Sequence, residues 1–224
     1  MRSVKWRFDT ILFDFDGTLA DTQEDVWDAL DNAAAEIGSI LPAAMRGNPA
    51  NLAFTMKELF EILEPTPNPE QLDAFKRETR RYYRIISDLP KTQLYPGIEK
   101  LLQRLNKAEI PCYIVSLKEH GALLRTLDLK GWHHFFSGHF SPDSFFKKSL
   151  TKSQLLAWLL SELHTKAPVY IGDSYTDVIA ARENGIPCIG VTYGDGNTKK
   201  LLAAQPEYVV NEAVELEGIL RNLP

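Results

Sequence analysis

Short apolar runs punctuate the chain, and residues spaced for a helix follow most of them. Ile11-Leu12-Phe13, Pro111-Cys112-Tyr113-Ile114-Val115, Val169-Tyr170-Ile171, Cys188-Ile189-Gly190-Val191 and Tyr208-Val209-Val210 are the clear runs. A weaker one extends from Phe135-Phe136 to Phe140. None alternates cleanly between apolar and polar positions, so they predict strands buried on both faces, as in a parallel sheet. Between them lie helical stripes: Ile98, Leu101, Leu102 and Leu105, then Leu123, Leu124 and Leu127. A strong stripe of Leu155, Leu156, Leu159, Leu160 and Leu163 follows the N-cap candidate Thr151. The stretch from Ile179 to Asn184 ends at Gly185, a residue suited to a helix C′ position. Strands alternating with helices from about residue 95 onward predict an α/β sheet with helices on both faces.

One interval breaks the alternation. Thr22 and Asp25 make a capping-box-like start to a helix carrying Val26, Leu30, Ala33 and Ile37, which Gly38 closes. Asn68-Pro69 opens another, with Leu72, Phe75, Tyr82 and Ile86 on or near one side. A right-handed crossover between parallel strands normally needs one helix, and about 70 residues is far more than that. The breaks at Pro65-Thr66-Pro67-Asn68-Pro69 and Pro90-Lys91 punctuate the interval. The expected architecture is therefore α/β: a Rossmann-like parallel sheet core of residues 1–20 and 91–224, with an inserted α-helical cap domain of residues 21–90.

Composition narrows the setting. The 224 residues are 44% apolar and 25% charged, as in an ordinary globular protein long enough to bury a sizeable core. No run approaches the roughly 18–20 apolar residues of a membrane span, and no apolar signal core follows the N-terminal charges. Cys112 and Cys188 lie in apolar runs without ligand spacing, which suits core thiols of a reducing compartment. A cytoplasmic protein without membrane partners is expected, as a monomer or a dimer. The net charge of −5 argues against nucleic acid as a partner. It leaves room for a small anionic substrate, because a local site can be positive on an acidic protein.

Four segments could carry chemistry. In Ile11-Leu12-Phe13-Asp14-Phe15-Asp16-Gly17-Thr18-Leu19, two carboxylates two residues apart end a strand, where α/β folds bind ligands. Turn formation by Asp and Gly is the blander explanation, and the length of the motif disfavours it. In Val169-Tyr170-Ile171-Gly172-Asp173-Ser174-Tyr175-Thr176-Asp177, another strand ends in an acid, with a second acid four residues on. Helix capping would also explain Asp173, Ser174 and Asp177. Convergence of these acids on one edge would demand a cation, and hard oxygen donors favour Mg²⁺. Ser116 ends a third strand and offers a hydroxyl to an anion, while Lys118 reads equally well as a surface residue. The run Lys147-Lys148-Ser149-Leu150-Thr151-Lys152 could place a lysine on a phosphate. Arg77, Arg80, Arg81 and Arg84 have helical spacing and read as a solvated basic face.

In this order the four segments resemble the motifs of the haloacid dehalogenase superfamily, and the phosphoglycolate-phosphatase-like members with a helical (C1-type) cap in particular. The resemblance covers the whole chain. Asp14-Phe15-Asp16-Gly17-Thr18 is similar to the first motif, Ser116 to the second, Lys152 to the third and Gly172–Asp177 to the fourth. Leu94-Tyr95-Pro96-Gly97-Ile98 resembles the re-entry into the core. Two departures stand out. Leu117 occupies a position that is often Asn, and no Lys-Pro follows Ser116, which leaves Lys148 as the alternative to Lys152.

The resemblance implies a Mg²⁺-dependent phosphatase acting on a small phosphorylated metabolite. Asp14 would be the nucleophile and form an aspartyl phosphate. Asp16 would protonate the leaving oxygen and then deprotonate water. Ser116 and Lys152 would hold phosphoryl oxygens. The metal would bind Asp14, the Asp16 backbone carbonyl and Asp173, with Asp177 orienting the metal waters or the lysine. Arg46, in a loop of the insertion, would touch substrate. Asp16 favours phosphoryl transfer over dehalogenation, which needs no leaving-group acid. A sugar phosphomutase and a non-catalytic binding protein on the same fold are the alternatives.

Overall fold

A computed structural model describes residues 5–46, 51, 55–64, 68–144 and 150–221. The chain divides into two compact units, one of residues 1–21 with 93–224 and the other of residues 22–92.

In the first unit, β1 (Thr10–Phe13) is followed by the short β2 (Ala20–Asp21). The second unit contributes α1 (Gln23–Glu36), α2 (Ala43–Arg46), α3 (Met56–Leu63) and α4 (Pro69–Arg81), the last running into a wider π-helical turn, Tyr82–Ile86. The first unit resumes with β3 (Gln93–Leu94), α5 (Ile98–Lys107), β4 (Cys112–Val115), α6 (His120–Lys130) and β5 (Gly138–Phe140). It ends with α7 (Lys152–Glu162), β6 (Pro168–Gly172), α8 (Tyr175–Glu183), β7 (Cys188–Val191), α9 (Thr198–Ala203), β8 (Tyr208–Val210) and α10 (Leu216–Arg221).

Six strands form one sheet in the order β5-β4-β1-β6-β7-β8, all pairs parallel. Counted along this sheet alone, that is the Rossmann order 3-2-1-4-5-6. Alternation along β1 explains why its run is wholly apolar. Ile11 and Phe13 enter the apolar cluster that holds Ile98, Leu101, Leu102 and Leu105 of α5 with Leu216 and Leu220 of α10. Leu12 points the other way, into the cluster of Leu155, Leu156 and Leu159 of α7 with Val178 of α8. All three β1 side chains are fully buried, each worth about 1.5–3 kcal/mol. β2 and β3 pair antiparallel as a separate ribbon.

The caps at Thr151 and Asn68 form as their residue types predict. The Thr151 hydroxyl accepts the Gln154 N–H at 3.2 Å, and the Gln154 side chain accepts the Thr151 N–H at 3.0 Å. Asn68 accepts the Glu70 N–H at 2.9 Å, with Pro69 as the first helical residue.

The capping box expected at Thr22 and Asp25 does not form; the Thr22 side chain makes no cap hydrogen bond. The Asp25 carboxylate instead accepts the Lys91 N–H at 3.1 Å, the Thr92 N–H at 2.6 Å and the Thr92 hydroxyl at 2.7 Å. It ties the two ends of the second unit together. Ile86, expected on or near one side with Leu72, Phe75 and Tyr82, is exposed, while Phe75 and, in the π-helical turn, Tyr83 are buried. Of the basic face, Arg77 and Arg81 pair with Glu78. Among the described residues, no helix is long and apolar enough to cross a membrane.

Candidate active site

The sheet register assembles the site. Phe13 at the end of β1 is paired with Ile114 on one side and Ile171 on the other. Asp14 therefore leaves the same sheet edge as Ser116 and Asp173, which follow β4 and β6. The chain winds outward from β1 in both directions, so this edge is the switch point where such sheets bind ligands.

Asp14 is buried. Its N–H donates to the Ile171 carbonyl at 2.8 Å, its Oδ1 accepts the Phe15 N–H at 2.8 Å, and its Oδ2 accepts Lys152 Nζ at 2.6 Å. The Ser116 hydroxyl also hydrogen-bonds Asp14. Lys152 is the first residue of α7, so the Thr151 cap that starts the helix also aims this lysine. Its ammonium donates to Asp177 as well. Asp177 is fully buried and accepts the Ser174 N–H and the Ser174 hydroxyl, each at 2.9 Å. Carboxylate oxygens of Asp14, Asp173 and Asp177 all lie within 4.8 Å of one another.

Among the described residues, three buried carboxylates face one buried ammonium, and the electrostatics record the imbalance. Burial pushes the Asp14 carboxyl up to about 6; Lys152 opposes this and the charge of Asp177 adds to it. Burial, followed by the charges of Asp14 and Asp177, pushes Asp173 up to about 8. Burial alone would depress Lys152, but Asp14 and Asp177 overcome it and hold the ammonium well above the ordinary lysine value. An all-oxygen donor set with uncompensated negative charge suits a hard divalent cation such as Mg²⁺.

Asp16 stands apart from that cluster. Its side chain is 37% exposed, and its Oδ1 accepts Lys118 Nζ at 2.8 Å. Arg46 lies in the second unit. Its guanidinium donates to Glu24 at 3.1 Å, Asp31 at 2.7 Å and Asp28. Each pair of this part-exposed kind is worth only about 0–1 kcal/mol, so the arginine is held but not locked. Lys148 lies outside the described residues.

Two features escaped the sequence reading. Lys118, which reads equally well as a surface residue, has a side chain only 8% exposed and paired with Asp16. The loop Tyr193-Gly194-Asp195-Gly196 after β7 packs on the site. The Gly196 N–H donates to Asp173 Oδ2 at 2.8 Å, and the Tyr193 hydroxyl donates to the Thr18 carbonyl at 2.8 Å. A Gly-x-Gly just past a strand's carboxyl end was the available signal.

Gly17 shows how tightly the edge is packed. Its φ is +74°, and a Cβ there would meet Asp173 Oδ2 at 2.2 Å. Gly17→Ala is expected to displace Asp173 and lower stability by about 1–3 kcal/mol, through left-handed strain and overpacking together. A shift in the urea midpoint at unchanged m-value would show it; an unshifted midpoint would contradict it.

A sheet edge built this way belongs to the α/β enzymes that work at the switch point. The family model for haloacid dehalogenase-like hydrolases matches residues 11–191, and the chain belongs to that family. It is 29% identical to a phosphoglycolate phosphatase of Vibrio cholerae, covering 95% of both chains. It is also 29% identical to a 5′-nucleotidase of Pseudomonas aeruginosa, covering 99% of this chain and 100% of the relative. A solved haloacid dehalogenase-like family hydrolase from Streptococcus pneumoniae superposes with a TM-score of 0.78 at 26% identity, over 94% of this chain and 97% of that one.

Proposed function

We propose that the protein is a Mg²⁺-dependent phosphatase that hydrolyses a small phosphorylated metabolite through an aspartyl-phosphate intermediate, as a phosphoglycolate-phosphatase-like enzyme. The observation that carries this reading is Asp14 itself. It is a buried carboxylate at the switch point, with a lysine ammonium at 2.6 Å and the Ser116 hydroxyl beside it. A carboxylate oxygen of Asp14 bonds to phosphorus, and the bond from phosphorus to the substrate oxygen breaks. Asp16 gives that departing oxygen its proton. It then takes a proton from water, whose oxygen attacks the phosphorus and frees both phosphate and Asp14. Lys152 and Ser116 hold the phosphoryl oxygens, and Asp177 keeps Lys152 in place.

Asp14, Asp173 and the backbone carbonyl of Asp16 would hold Mg²⁺, with Asp177 as an outer partner. A bound Mg²⁺ supplies charge neutralisation between the carboxylate and an incoming phosphate. The unit of residues 22–92 serves as the helical cap that selects substrate, with Arg46 as its candidate contact. Both the phosphoglycolate phosphatase and the 5′-nucleotidase relatives support a compact phosphomonoester as substrate.

A Mg²⁺-supplemented panel of 2-phosphoglycolate, nucleoside 5′-monophosphates and hexose phosphates tests the reading. Release of inorganic phosphate from at least one class is expected, and the preferred class names the substrate. Formation of a phosphate-bearing isomer without free phosphate would overturn hydrolysis in favour of a mutase.

A further inference from the structure

Lys118 carries a cation on a largely enclosed side chain, which the scheme above leaves without a task. It lies two residues past Ser116, on the loop leaving β4, and its N–H donates to the Ser116 hydroxyl at 3.3 Å. Its ammonium lies 5.7 Å from the centre of the Phe15 ring and ends 2.8 Å from Asp16 Oδ1. The lysine is 8% exposed and the aspartate 37%. Phe15 and Asp16 both belong to the first motif.

We infer that Lys118 is a positioning residue for Asp16, fixing the carboxyl group that exchanges protons with the leaving oxygen and with water. The inference rests on the proposed phosphatase reading. An acid at this step must reach the departing oxygen at hydrogen-bond distance, and a group even about 1 Å out of place loses much of its effect. Asp16 is more open to solvent than Asp14, Asp173 or Asp177 and is not a member of their cluster, so it needs a partner that holds its carboxylate. Lys118 is such a partner, because its backbone is tied to the Ser116 hydroxyl and its ammonium lies against the Phe15 ring, both independently of Asp16. The serine beside the reacting phosphate and the proton-transfer acid are thereby held by one three-residue segment, Ser116-Leu117-Lys118. Leu117 between them is exposed, so the segment turns its two polar members inward and its apolar member out.

The test uses leaving groups of different basicity, since a poor leaving group needs the proton and a good one does not. kcat/KM is measured with Mg²⁺ on p-nitrophenyl phosphate and on phenyl phosphate. The proteins are wild type, Lys118→Met, Lys118→Arg, Asp16→Asn and the Lys118→Met/Asp16→Asn double variant. Methionine keeps the stem over Phe15 and removes the charge, and thermal melting confirms that each variant is folded. Lys118→Met is expected to fall about tenfold further on phenyl phosphate than on p-nitrophenyl phosphate, a part of what general acid catalysis supplies. Lys118→Arg should recover most of the difference. In the Asp16→Asn background the same change should cost little more, because the two residues act as one unit.

Equal losses on both esters with a raised KM would mean that Lys118 binds substrate, and would overturn the inference. So would a full loss persisting in the Asp16→Asn background, or no loss at all. A wild-type protein that releases phosphate from neither ester and from no member of the metabolite panel, or an Asp14→Asn variant as active as wild type, would overturn the phosphatase reading and take this inference with it. That result is told apart from failure at Lys118 by the wild-type and Asp14→Asn reactions alone.

Discussion

Asp14→Asn is expected to lower phosphate release by a factor on the order of 10⁴ or more, while leaving the fold intact. The amide has the size and shape of the carboxyl, and its oxygen can still accept the Phe15 N–H that Asp14 Oδ1 accepts at 2.8 Å. It cannot form the acyl phosphate, so both halves of the scheme stop. Loss of activity through unfolding would be the trivial explanation, and the site's charge balance predicts the opposite. Among the described residues, Asp14 is one of three buried carboxylates that face the Lys152 ammonium, and burial pushes its carboxyl up to about 6. At pH 7.5 a neutral amide removes a charge that the metal-free fold tolerates poorly, while Lys152 keeps Asp177 as its partner. Phosphate release should vanish and the melting temperature of the metal-free protein should hold or rise. Turnover at the wild-type rate would remove Asp14 as the nucleophile. A collapse of the melting temperature would show that the Asp14–Lys152 pair is needed for folding.

Most of the sheet could be read from the chain because each strand is buried on both faces. Ile11-Leu12-Phe13 has no polar position to mask, and the order of runs and helical stripes leaves few alternatives to a Rossmann-like sheet. Asp14 and Asp173 were legible for the same reason: a carboxylate directly after a doubly buried strand has to sit at the sheet edge. What stayed hidden depended on partners remote in sequence. Asp25 has capping-box spacing from Thr22, but its carboxylate binds Thr92, 67 residues away, and no local rule detects that. Lys118 looks like any solvated lysine until β4 is known to lie beside β1, which brings it to Asp16. Asp177 by its spacing alone is a first-turn acid, and Ser174 uses it so; its contact with the lysine was expected only from the family resemblance, because the folding of α7 against α8 brings its other oxygen to Lys152. Ile86 does not share the buried side of Phe75, because α-helical spacing does not carry through the π-helical turn of Tyr82–Ile86.

Magnesium is expected to raise the melting temperature strongly at alkaline pH and much less at acidic pH. In the metal-free protein Asp14 is pushed up to about 6 and Asp173 to about 8, from an ordinary value of 3.8. Between those limits the folded state holds protons that the unfolded chain has released. Folding stability therefore falls as pH rises. The contribution of these two groups is complete below about pH 3.8 and is lost as pH climbs through about 6 and then about 8. A divalent cation competes with the same protons for the same oxygens, so it binds best where the protons have left. At about 100 times its dissociation constant it adds roughly 2.7 kcal/mol, or about 5–10 °C for a chain of this length. Scanning calorimetry in chelator and in excess Mg²⁺, at about pH 5.5 and about pH 8.5, measures both slopes. Asp173→Asn removes the more strongly shifted group, so it should flatten the pH dependence in chelator and abolish most of the Mg²⁺ response. An equal Mg²⁺ shift at both pH values, or a full response in Asp173→Asn, would show that the cation is held somewhere other than on these carboxylates.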